Sequence, residues 1–136
     1  GSINMSGVKS INWARIIAQS VYYFYTYLQT GNKKPINFSV PTGNFGDVYA
    51  GYLAKKMGLP INKLIVATNQ NDILHRAISK GEYNVETVSE TISPSMDIQM
   101  ASNFERLIYD LNNHVKLTLH FLLQHPIKTY RPNEFF

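Results

Sequence analysis

Residues 36–58 read INFSVPTGNFGDVYAGYLAKKMG. Ile36, Phe38 and Val40 alternate with polar residues, which is the period of a half-buried strand, and Pro41 closes the run. Pro41-Thr42-Gly43-Asn44-Phe45-Gly46 reads as a turn. From Asp47 to Met57, Val48, Leu53 and Met57 recur among small residues as they would on a helix, and Gly58 with Pro60 stops it. A strand therefore feeds a glycine-containing turn that opens a helix. The first N–H groups of a helix have no partner inside it, and the helix dipole favours an anion there. Glycines let the backbone come close to such an anion. The segment is neither a Walker loop nor a G-x-G-x-x-G fingerprint. By glycine spacing alone, an ordinary strand-to-helix turn and a phosphate cradle both fit. Asp47 counts against a dense anion at that turn unless its carboxylate faces another group.

Outward from this stretch, Leu64-Ile65-Val66-Ala67 is a continuous apolar run, which suits a strand buried on both faces. Asp72 to Ser79 reads as a helix ended by Lys80-Gly81. The order strand, helix, strand, helix with short loops implies parallel strands. The expected fold is α/β: a partial Rossmann-like three-layer unit with short parallel strands and flanking helices, in one domain over residues 1–136. Upstream, Ser10 is a candidate N-cap for a helix carrying Trp13, Ile16, Ile17, Val21, Phe24 and Leu28 at helical spacing, ending near Gly31-Asn32. Tyr22, Tyr23, Phe24 and Tyr25 make an aromatic wall on it. Such a wall either lies deep in the protein or meets another piece of protein. Downstream, Val85, Thr87 and Thr91 favour extended chain and Ser93-Pro94 marks a turn. Ser102 and Glu105 stand in capping-box relation ahead of Phe104, Leu107, Ile108 and Leu111. Residues 115–123 fit strand and helix spacing alike, and their length favours helix. Pro126 and Pro132 end regular structure.

The 136 residues are 44% hydrophobic and 16% charged, a globular balance large enough for a real core. There is no cysteine, so neither disulfides nor thiolate chemistry is available. The formal charge is +4, but the lysines and arginines are scattered. That distribution reads as solvated surface rather than a nucleic-acid stripe. No apolar run is long enough for a membrane span, and the expected compartment is the cytoplasm. The four histidines, at 75, 114, 120 and 125, lack metal-ligand spacing, and no metal is expected. Ser10, Asn12 and Arg15 place a hydroxyl, an amide and a guanidinium in the first turns of a helix. That set could hold a phosphate or carboxylate, but by composition alone a capped helix with a surface arginine is the better account.

Five strings, taken in order, resemble one family. They are Ser10-Ile-Asn-Trp-Ala-Arg-Ile, Val40-Pro-Thr-Gly-Asn-Phe-Gly-Asp, Ala67-Thr-Asn-Gln-Asn-Asp-Ile-Leu, Ser93-Pro-Ser-Met-Asp-Ile and Ser102-Asn-Phe-Glu-Arg-Leu. Together they look like threonine synthase, over roughly residues 6 to 111, and residues 112–136 do not. The resemblance implies a fold-type-II pyridoxal-phosphate enzyme that converts O-phospho-homoserine and water to threonine and phosphate. It implies that Gly43, Asn44, Phe45, Gly46 and Asp47 bind the cofactor phosphate, and that Ser10, Asn12 and Arg15 bind substrate. Asp47 stands where some relatives carry asparagine, and Lys9 where asparagine is expected. The family's cofactor lysine sits upstream in a Phe-Lys-Asp context that has no counterpart here, so no catalytic residue is assigned and the chain alone is expected to be inactive. The expectation is a central piece of the enzyme: a truncated gene product, one part of a split gene, or a piece cut out by design. Its partners would be the small-molecule substrate and either a second copy or a separately encoded amino-terminal piece, with no nucleic acid and no membrane.

Overall fold

A computed structural model describes residues 9, 11–31, 33–114 and 127–130. Its elements are α1 (Trp13–Gln29), β1 (Ile36–Pro41), α2 (Gly46–Lys56), β2 (Ile61–Ala67), α3 (Ile73–Lys80), a 3-10 turn (Pro94–Met96), α4 (Ser102–His114) and β3 (Ile127–Tyr130). The three strands form one parallel sheet in the order β1-β2-β3. The α/β class and the parallel pairing follow the sequence pattern. Strand β2 is longer than its apolar core suggested, because Ile61 already pairs with Ile36. A register shift between Ile36 and Asn37 then brings Lys63 opposite Asn37. Residues 127–130 form a strand where the flanking prolines had predicted an end to regular structure. Pairing with Leu64 through Ala67 overrides the breakers. The helix expected over 115–123 lies outside the described residues.

Parallel partners share a face of the sheet, so Phe38 lies beside Leu64 and Val40 beside Val66. Leu64 and Val66 are fully buried under α2, whose Gly51 sits directly over Leu64. On the opposite face Asn37, Ser39 and Pro41 are exposed, while Ile65 and Ala67 are only half-buried. The apolar run of β2 was expected to be covered on both sides. Among the described residues only one side is covered in full.

Helix α1 packs on α2 through a narrow face. Ile16, Ser20 and Tyr23 are its buried residues. The Tyr23 ring lies over Gly51, packs on Phe38 at 4.9 Å between ring centroids, and donates its hydroxyl to Asp47 O at 2.9 Å. Most of the apolar face predicted from spacing points outward. Tyr22, Tyr25 and Leu28 are 67%, 62% and 71% exposed, and Trp13, Ile17 and Val21 are exposed with them. The helix is therefore not deeply buried among the described residues: of the four wall residues only Tyr23 is buried.

Helix α3 anchors the irregular segment 82–99. Arg76, buried on α3, bonds Asp72 at 3.0 Å one turn back and reaches Asn84 O at 3.0 Å and Glu86 at 3.1 Å. Helix α4 closes over α2, with Phe104 edge-on to Phe45 and Leu107 fully buried. Asp110 on α4 takes Tyr52 and Lys56 of α2, each at 2.9 Å. No helix among the described residues is long and apolar enough to cross a membrane.

Candidate phosphate-binding site

The loop after β1 turns sharply. Thr42 N–H still donates to Ala67 O at 3.1 Å, prolonging the ladder, and residues 43–45 then bend into α2. Phe45 turns the corner with φ 64 and ψ 4, a left-handed conformation that no other non-glycine residue adopts among the described ones. That conformation costs an L-residue roughly 1–2 kcal/mol. Full burial of the ring against Phe104, at 5.2 Å between centroids, gives back about 1.5–3 kcal/mol. Burial therefore wins and the corner holds. The first intrahelical bond runs from Tyr49 N–H to Phe45 O at 2.9 Å. The N–H groups of Gly46, Asp47 and Val48 precede it, so they have no intrahelical partner. A left-handed residue followed by right-handed ones lines such donors into a concave anion-binding surface.

The other loop side chains are held from far along the chain. A Cβ on Gly43 would stand 2.8 Å from Ser95 O and 3.2 Å from Met96 Cα, so glycine there answers the close approach of the 3-10 turn. Asn44 Oδ1 accepts from both the N–H and the hydroxyl of Ser102, each at 2.9 Å. That bond draws the Ser102 hydroxyl away from the capping box predicted for it. Asp47 turns towards a crevice of about 160 Å³ between α1 and β1, lined by Tyr22, Thr26, Phe38, Ser39 and Pro41. Its Oδ1 is buried and has no hydrogen-bond partner among the described residues. Burial pushes its carboxyl above the usual range, against the opposing effect of the Tyr23 hydroxyl. The carboxylate that argued against an anion at this turn thus faces a crevice shared with α1.

Among the residues at the start of α1, Ser10 lies outside the described residues. Asn12, rather than Ser10, caps the helix: its Oδ1 accepts from Ala14 N–H at 2.9 Å. The amide therefore has a structural task already. Arg15 is exposed on the first turn. Arg106 of α4 donates to Ile11 O and sets its guanidinium 5.9 Å from the centre of the Trp13 ring.

Two of the quoted strings, residues 67–74 and 93–98, meet in a network that their spacing did not predict. Asp97 accepts from Thr91 N–H at 2.8 Å, Thr91 Oγ1 at 2.7 Å, Asn69 at 2.7 Å and Asn71 at 2.9 Å. Asn71 also exchanges two bonds with the Ser89 backbone, each at 2.8 Å. This network ties the loop after β2 to the segment that presses on Gly43. Asn69, Asn71 and Asp97 stand in two of the five family-like strings, but nothing in their spacing showed that they meet. Desolvation pushes the Asp97 carboxyl up, but the bonds from Thr91, Asn69 and Asn71 outweigh it and hold it below the ordinary range. The unfolded chain therefore takes up a proton first as pH falls. Stability from Asp97 is complete above its unfolded value of about 3.9 and is lost as pH falls through the lower folded value. Thermal melts from pH 7 to pH 3 should show a steeper acid loss for the native chain than for Asp97→Asn. Parallel curves would deny the network this role.

The fold and loop together define a strand–turn–helix in a parallel α/β unit, with unpartnered backbone donors at the start of α2. No family model matches the chain. It is 61% identical to the threonine synthase of Pseudomonas aeruginosa over 106 residues, which are 77% of this chain and 23% of that one. To the threonine synthase of Saccharomyces cerevisiae it is 56% identical over 112 residues, 79% of this chain and 22% of that one. Among solved structures, the pyridoxal-phosphate-bound threonine synthase from Brucella melitensis superposes with a TM-score of 0.78 at 44% identity, covering 93% of this chain and 32% of that one. The chain belongs to the threonine synthase family, and it spans about a quarter of the length of these curated relatives.

Proposed function

We propose that residues 43–48 hold the phosphate of pyridoxal phosphate, and that the chain supplies the cofactor-phosphate part of a threonine synthase-type site. The observation that carries this reading is the left-handed Phe45 at the start of α2, ahead of the N–H groups of Gly46, Asp47 and Val48, which have no partner within the helix. The chemistry of the residues fits the group: backbone donors and a helix dipole suit a phosphate, and Gly43 and Asn44 fix the loop that presents them. Bound pyridoxal phosphate would act as the electron sink for O-phospho-homoserine turnover. The chain's own share is binding and orientation. Ser10, Asn12 and Arg15 make up the proposed substrate-phosphate segment. In Asn12 the oxygen already serves α1, which leaves its amide N–H₂ to donate.

None of the 136 residues lies in a Phe-Lys-Asp context, so no residue here anchors the cofactor ring and moves protons at the reacting carbon. Pyridoxal phosphate should bind the purified chain measurably more tightly than pyridoxal, read by absorbance and fluorescence titration. Release of phosphate from O-phospho-homoserine should stay at background. Equal affinity for pyridoxal would remove the cradle, and robust turnover would remove the claim of inactivity. The cytoplasm is the compartment this reading assigns.

A second reading concerns partners, and the outward face of α1 favours it. Trp13, Ile17, Val21 and Tyr25 recur at four-residue spacing with Leu28, and Arg15 is the only charge on the helix. Such an uncharged stripe suits either a complementary piece of a threonine synthase fold or a second copy of this chain. Light scattering distinguishes the copy. Co-expression with an amino-terminal piece carrying the lysine, followed by the activity assay, distinguishes the complement. A clean monomer that neither associates with that piece nor gains activity would reject both.

A further inference from the structure

Ser102 and Arg106 stand one turn apart on α4 and so share a face. Ser102 holds the cradle loop, through two bonds to Asn44 Oδ1 at 2.9 Å. Arg106 holds the segment that opens α1, through Ile11 O and the Trp13 ring. One turn of one helix thus grips both segments to which the proposed function assigns an anion. Beside them runs an open groove of about 700 Å³, lined by Ile11, Trp13, Ser102 and Arg106 and also by the acidic residues Glu105 and Asp110. Trp13 and Tyr49 meet across it at 6.3 Å between ring centroids.

The two grips differ in kind. Ser102 offers a neutral hydroxyl and a backbone N–H to a single amide oxygen, which fixes one rotamer of Asn44. Arg106 uses a charged fork: Nη2 bonds Ile11 O, the face of the guanidinium covers Trp13, and Nη1 is buried with no hydrogen-bond partner among the described residues. Neither residue needs to touch a ligand to act. A cradle that shifts by an ångström relative to the second segment would no longer present both sets of donors to one molecule.

We propose that Ser102 and Arg106 are positioning residues, Ser102 for the cofactor-phosphate loop and Arg106 for the substrate-phosphate segment, so that α4 sets the separation of the two anion sites. This rests on the cradle reading above. The test is a crossed design on the full chain. Pyridoxal phosphate affinity reads the cradle. Inorganic phosphate added to the chain saturated with pyridoxal phosphate reads the second segment, by phosphorus NMR titration. Ser102→Ala should weaken pyridoxal phosphate about fivefold, the scale of one lost hydrogen bond, and leave the second phosphate within about twofold. Arg106→Gln should do the reverse, by about tenfold, as befits a charged donor. Arg106→Lys, which keeps the charge without the planar fork, serves if the glutamine variant fails to fold, and should show the same selectivity. A merely structural role would lower both affinities together, or lower the melting temperature with both affinities unchanged, and either result overturns the proposal. If the unsubstituted chain binds neither probe, the cradle reading itself falls and this inference falls with it.

Discussion

Phe45→Ala should cost the protein about 3–5 kcal/mol, the scale for deleting a fully buried aromatic ring. Alanine at this corner would keep the strain and lose what offsets it. The left-handed backbone still penalises any Cβ, while the contact with Phe104 disappears. A domain of this size is stable by roughly 5–15 kcal/mol, so the variant stands to lose a third or more of that. Phe45→Gly separates the two contributions, because glycine accepts the left-handed conformation without penalty. The glycine variant should be the less damaged of the pair by about 1 kcal/mol. Urea unfolding followed by far-ultraviolet circular dichroism reads both. A loss below 1 kcal/mol for the alanine variant would mean that the ring does not lock the loop.

Gly51→Val should be nearly as damaging, at about 3 kcal/mol, for the opposite reason. Gly51 lies inside α2, where replacing glycine normally gains about 1 kcal/mol in helix propensity. Space reverses the sign here. A Cβ would stand 2.6 and 2.7 Å from two ring carbons of Tyr23 and 2.9 Å from a Leu64 methyl. The Tyr23 ring cannot swing aside cheaply, since its hydroxyl is bonded to Asp47 O and its face packs on Phe38. In Gly51→Ala the propensity gain should offset only part of the clash, leaving a net loss of about 1–2 kcal/mol. Removing the ring with Tyr23→Ala should relieve most of the penalty at position 51, so the double variant should be clearly non-additive. Additive losses would show that α1 and α2 do not meet where the ring and the glycine say they do.

Much of this was legible in the chain because it is local. The alternation of Ile36, Phe38 and Val40, the stop at Gly58 and the apolar run at 64–67 each carry their meaning within a few residues. They gave the strands, the helix and the parallel order. What the sequence could not carry was anything decided by distant neighbours. Ser10 looked the better cap, yet Asn12 takes the Ala14 N–H. Ser102 looked like half of a capping box, yet its hydroxyl goes to Asn44. Ile127 to Tyr130 sat between prolines that read as breakers, and only the partner strand β2 makes them a strand. The apolar spacing of α1 was read correctly as helical, but spacing cannot tell which face meets α2. That choice fell to the narrow face bearing Tyr23, because Gly51 leaves room for a ring there. At the site, the glycines and Asp47 could be named from sequence. The direction Asp47 faces and the Asp97 network could not.

The bonds that complete the cradle also set an order of events in time. Strand β1, the turn and α2 are neighbours along the chain and can form early. Asn44 meets Ser102 across 58 residues, and Ile11 meets Arg106 across 95. Closing such long loops costs chain entropy before the contact returns anything, and non-local closures are slow. The β1–β2 framework should therefore stand while the loop is still unfastened. Under heat or denaturant these polar ties should give way ahead of the packed contact between Phe45 and Phe104. The polar ties around the proposed phosphate loop should thus be the last to form during folding and the first to part under stress.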